Sequence, residues 1–112
     1  KVFGTRIDIG ADPFGPEKKL EAIERGKKVY HVTAACTQCH RGYESVQNLQ
    51  AFAKELKSEV TLDSTLYQLK AQDSEYNYKA LPPDYTYHQL RSINTVEDIT
   101  QRVRYGITGS GM

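Results

Sequence analysis

Five consecutive residues, Cys36-Thr37-Gln38-Cys39-His40, constrain this chain more than any other stretch. Two thiols three positions apart share one turn of backbone, and an imidazole follows at once. They are the only two cysteines of the 112 residues, so no disulfide framework is available. A redox dithiol of thioredoxin type would place its C-x-x-C after a strand, in a β-α-β pattern. Here the motif follows a long helical stretch, which counts against that reading. Zinc is a second rival, with Cys36, Cys39, His40 and one of His31 or His88 as four ligands. Ligands at the adjacent positions 39 and 40 suit a tetrahedral site poorly, and a second Cys or His pair is missing.

C-x-x-C-H is also the arrangement by which a c-type haem is attached. Each sulfur can form a thioether to one vinyl group of the same porphyrin, and His40 then lies under the iron as proximal ligand. On this pentapeptide, matched without substitution, the chain resembles a c-type cytochrome.

The bounds agree with one small domain, residues 1–112. Hydrophobic residues make up 38%, a modest core that a buried haem would enlarge. Fifteen Lys and Arg stand against 14 Asp and Glu, which excludes the global basic field that nucleic acid selects. No apolar run approaches the roughly 20 residues that span a bilayer. The chain starts at Lys1 rather than Met, which is expected of a processed or trimmed form whose targeting segment is gone.

Along the chain, residues 1–15 read as an irregular lead-in broken by Gly4, Gly10, Pro13 and Gly15. Pro16 suits the first position of a helix, where its missing N–H costs nothing. Leu20, Ile23, Gly26 and Tyr30 then recur on one helical face, and Gly26 would let another helix cross closely. Arg41-Gly42 is a turn leaving the motif. From Ser45 to about Glu59, Val46, Leu49, Phe52, Ala53 and Leu56 form one apolar stripe. A shorter helix is expected after Asp63 as N-cap, with Leu66 and Leu69 inward. Residues 73–88 form a tyrosine-rich loop around Leu81-Pro82-Pro83, where two prolines exclude a helix interior. Thr95 and Asp98 predict a capping box, Val96, Ile99 and Val103 an apolar face, and Gly106 the helix end. No alternating strand pattern is present. The expected fold is all-α, a small cytochrome c-like helical domain wrapped around one haem.

An iron held by one imidazole needs a sixth ligand if its task is electron transfer. Met112, His31 and His88 are the candidates. Tyr105-Gly-Ile-Thr-Gly-Ser-Gly-Met112 looks like the family's distal loop, so the resemblance implies Met112 as iron ligand. His31 sits too near the motif in sequence to wrap over the far face, whereas a loop could carry His88 across. Thioether sulfur favours ferrous iron and raises the potential; a second imidazole lowers it.

The resemblance carries further expectations, and the chain departs from some of them. Family members continue past the methionine into a helix that crosses the first one. This sequence stops at Met112, so either that helix is absent from the stretch given or a partner subunit is expected to supply its packing on the first helix. Family members also place a proline carbonyl on the Nδ1–H of the ligating histidine. No proline occurs between His40 and Pro82, which leaves the Leu81-Pro82-Pro83 loop to supply it. Tyrosines of that loop, and Arg91, are candidates for the haem propionates; tryptophan, often used for this in the family, is absent.

The function so implied is single-electron transfer by one covalent haem, as a soluble carrier or the carrier subunit of a redox complex, and not itself an enzyme. Redox partners would meet the haem edge, with Lys27, Lys28 and Arg41 as a candidate positive rim. The alternative is a five-coordinate haem binding a small gas or peroxide, with His88 or Arg91 as the distal group. Haem is attached to this motif outside an energy-transducing membrane, which implies the periplasm or its equivalent.

Overall fold

The structure, a computed structural model, describes Asp8 and residues 10–90, 93–107, 110 and 112. Arg91, Thr108, Gly109, Gly111 and most of the first nine residues lie outside the described residues.

Pro16 opens a 3₁₀ turn, Pro16–Lys18, that leads directly into helix α1, Lys19–Lys28. The helix then widens into a π turn, Val29–Thr33, in which the Ala34 N–H reaches back five residues to Val29 O at 2.8 Å. Burial starts only in this turn, with His31 and Val32. On α1 itself Leu20 and Ile23 are exposed, and a Cβ built on Gly26 would meet nothing within 4 Å. The close helix crossing expected at Gly26 is therefore not made among the described residues.

Helix α2, Val46–Leu56, starts where Ser45 Oγ accepts the Asn48 N–H at 3.1 Å. It ends at Leu56, three residues before Glu59, and is capped by Lys57, whose backbone is left-handed with φ 51°. There the Ser58 N–H closes onto Ala53 O at 2.9 Å. Leu49 and Ala53, one turn apart, are buried, and α2 packs this stripe against the π turn. Val32 and Leu66 complete the buried aliphatic core among the described residues.

Two expectations are corrected. The stretch after Asp63 is not a helix but a run of turns: Asp63 Oδ1 accepts both the Thr65 N–H and the Thr65 hydroxyl, closing an Asx turn. Leu66 is still buried there, while Leu69 is exposed. The all-α reading also needs amending. The molecule is mostly helical, but β1, Gln72–Asp73, pairs antiparallel with β2, Lys79–Ala80, in register 72 to 80 and 73 to 79. Two-residue strands are too short to show an alternation, and Asn77, at φ 62°, turns the chain between them.

Helix α3, Val96–Tyr105, carries the expected capping box between Thr95 and Asp98 and ends at Gly106, φ 75°. Its apolar residues Val96, Ile99 and Val103 are exposed. No helix of the described residues is long and apolar enough to cross a membrane.

Candidate functional site

The run from α1 through the π turn delivers the chain to Ala35, which adopts a left-handed conformation with φ 50°. That reversal starts a 3₁₀ turn over Cys36–Gln38. The Cys39 and His40 N–H groups both return to Cys36 O, at 3.2 and 2.9 Å. Cys36, Cys39 and His40 thus occupy one turn, as the sequence expected. Thr37 is buried beneath it, its carbonyl taken by Lys70 Nζ at 2.5 Å. Both thiols are free and half-buried. Burial pushes the Cys36 thiol up, the opposite of what the attacking cysteine of a redox dithiol needs.

His40 is the residue with unspent capacity. Its Nδ1 is buried and makes no hydrogen bond of acceptable geometry. Burial lowers the basicity of the ring, and the Pro83 backbone carbonyl opposes this. Pro83 therefore faces His40 electrostatically, although the pair falls short of a formed hydrogen bond. The Leu81-Pro82-Pro83 loop does reach the imidazole, 43 residues further along the chain.

The other faces of His40 meet tyrosines. Tyr85 stacks on the ring with centroids 5.3 Å apart and planes 21° from parallel. Tyr30 lies 6.5 Å away, tilted, and touches Tyr85 edge-on. The Tyr30 hydroxyl donates to Arg41 O at 2.9 Å, and desolvation drives its pKa well above the ordinary tyrosine value. The Tyr85 N–H donates to the Tyr43 hydroxyl oxygen at 2.8 Å, and Arg41 Nη1 pairs with Asp84 Oδ2 at 3.1 Å. A hollow of about 400 Å³ beside this cluster is lined by Gly26, Tyr30, Tyr43 and Tyr85 among others. A second, of about 310 Å³, lies between His31, Thr37 and Lys70. Neither includes Cys36, Cys39 or His40 in its lining.

The remaining candidates are placed elsewhere. His31 is buried, with Nδ1 bonded to Lys27 O at 2.8 Å and Nε2 accepting the Tyr43 N–H at 3.0 Å. Both nitrogens are used to tie the π turn to the chain leaving the motif, so His31 packs and does not ligate. His88 is exposed, and its Nδ1 accepts the Asp84 N–H at 2.9 Å. Met112 is 48% exposed, and its described hydrogen bonds, to Ile107 and Ser110, stay within the turn after α3. The expected positive rim does not stand free. Lys27 pairs with Glu24 and Glu44, Lys28 with Glu55, and Arg41 with Asp84.

Among the described residues, no three His, Cys, Asp or Glu side chains gather as a metal site. Zinc would require Cys36, Cys39 and His40 to converge with a fourth ligand on one point. Thioether attachment asks less, since the sulfurs need only reach a porphyrin rim and the imidazole alone the iron. The donor set on this turn, two free thiols and an imidazole whose buried Nδ1 has no partner, fits a covalent haem on those terms. Asp84 went unnoticed as a site residue in the sequence; its only signal there is the Pro-Asp dipeptide of a turn. No family model matches this chain, and no curated protein or solved structure is similar to it.

Proposed function

We propose that this chain is a monohaem c-type cytochrome that carries single electrons, alone or as the carrier subunit of a redox complex. In this reading Cys36 and Cys39 would bond the porphyrin, and His40 and Met112 would hold the iron. The haem, when bound, would supply an iron that cycles between ferric and ferrous states. The protein's part is to hold and tune it. The motif turn fixes both sulfurs, burial keeps His40 neutral and so able to ligate, and the Pro83 carbonyl strengthens it as a donor. Partners are redox proteins meeting the haem edge, and the exposed Leu20 and Ile23 of α1 suit a covering subunit. The location is the periplasm or an equivalent compartment.

One observation carries the proposal: two free thiols share a turn with an imidazole whose buried nitrogen has no partner. Acid–acetone extraction followed by a pyridine haemochrome spectrum tests it. The pigment should stay with the polypeptide and show the bands of a thioether-linked haem. A colourless protein, or pigment that extracts cleanly, overturns it.

The exposure of Met112 favours a second reading, a five-coordinate haem that binds a small gas or peroxide. Carbon monoxide added to the reduced protein separates the two. Inertness supports the carrier, and rapid binding supports the open iron.

A further inference from the structure

His40 and Tyr85 are far apart in sequence, so their stacking has to be held by the residues around them. Those residues are the neighbours along each segment. Arg41, following His40, pairs with Asp84, preceding Tyr85, at 3.1 Å. Asp84 is buried, and each of its polar groups is used. Oδ1 accepts the Thr86 N–H at 2.9 Å and the Tyr43 hydroxyl at 3.4 Å. Its carbonyl accepts the Tyr87 and His88 N–H groups, and its own N–H donates to His88 Nδ1. The Arg41 guanidinium is fixed from another side by the Tyr43 ring, 5.0 Å away. The Tyr43 hydroxyl oxygen takes the Tyr85 N–H. The loop from 83 to 88 is therefore a folded turn built on Asp84 and bolted to residues 41 and 43.

We infer that Arg41, Tyr43 and Asp84 form a clamp that seats the Tyr85 ring on the His40 imidazole, making Asp84 and Tyr85 positioning residues for His40. A ring stacked on one face allows His40 little rotation. The inference builds on the haem reading for its purpose, but the clamp itself involves protein atoms alone.

The test separates the two. Nuclear Overhauser contacts are measured in the isotopically labelled 112-residue chain, in the ferrous state if it is coloured. Cross-peaks are expected from His40 ring protons to Tyr85. Asp84→Ala and Arg41→Ala should abolish them, while those between Tyr30 and His31, which pack 4.8 Å apart without the loop, persist. Arg41→Lys should restore them in part. Should Asp84→Ala fail to fold, Asp84→Asn serves instead: the clamp requires it to weaken the His40–Tyr85 cross-peaks, and full-strength cross-peaks there overturn it. Survival of the His40 cross-peaks in Asp84→Ala, or their absence from the parent chain when the Tyr30–His31 ones are seen, overturns the clamp. In coloured protein, Asp84→Ala should also shift the midpoint potential, because the imidazole loses the ring that fixes its orientation. An unchanged potential with an unchanged spectrum overturns the positioning role. A colourless chain with the cross-peaks intact would refute the haem and leave the clamp standing.

Discussion

Ala35 shows what the motif turn costs the backbone. An L-residue at φ 50° brings its Cβ against its own carbonyl, a penalty of roughly 1–2 kcal/mol that glycine does not incur. Yet the reversal at 35 is what lets Cys36 start a new turn instead of continuing the π turn. Ala35→Gly should therefore stabilise the chain by up to about 1 kcal/mol, net of the added freedom of the unfolded state, as read by urea unfolding. Gly42 presents the converse case. It is buried, its N–H donates to Leu66 O at 2.6 Å, and an added Cβ would sit 3.1 Å from Leu66 Cδ1. Gly42→Ala should cost about 1–3 kcal/mol by overpacking in the same measurement. The sequence drew attention to the wrong glycine. Gly26 lies on a periodic apolar face and so looks like a crossing point, whereas the need for Gly42 comes from Leu66, 24 residues on, and leaves no local trace.

At the scale of elements, what could be read from the sequence was whatever is local. The capping box of α3 is written within four residues, Thr95 to Asp98, and forms as expected. The stripe of α2 repeats every three or four residues and is found, with Leu49 and Ala53 inside. The π turn was not readable, because over five residues its side-chain pattern is indistinguishable from that of an α-helix. The motif itself was legible as a turn, but its surroundings were not: Asp84 and Tyr85 reach it across more than 40 residues. Helix α2 offers a clean test of a local cap in this fold. Ser45 satisfies the Asn48 N–H and no other described acceptor does so, hence Ser45→Ala should lower stability by about 1 kcal/mol. The loss should appear in far-ultraviolet circular dichroism melts and be partly offset by Lys57→Gly, which removes a left-handed non-glycine residue at the other end.

Over the whole molecule, two regions distant in sequence are joined through one carboxylate. Residues 30–43 hold the motif and residues 83–88 the tyrosine loop, and Asp84 bridges them through Arg41 and Tyr43. The loop is held by the Tyr85 ring against Tyr30, His40 and Tyr43 and by the polar contacts of Asp84. The Asp84 contacts depend on charge. The Thr86 N–H first, then the Arg41 guanidinium, hold Asp84 below the ordinary carboxylate value of 3.8, against the opposing effect of burial. A depressed folded value means that the unfolded chain binds the proton more readily. The stabilisation is thus fully present above the unfolded value and lost as pH falls through the folded one. Asp63, lowered by its hydrogen bonds to Thr65, adds to the same loss. The loop should come away from His40 below about pH 3.8, seen as a fall in Tyr85-dependent near-ultraviolet dichroism. Asp84→Asn should start less stable at neutral pH and lose less between pH 5 and 2, with the remaining slope carried by Asp63 and removed in the double variant. If Asp84→Asn kept the full acid slope of the parent chain, the loop would be held by something other than its charge.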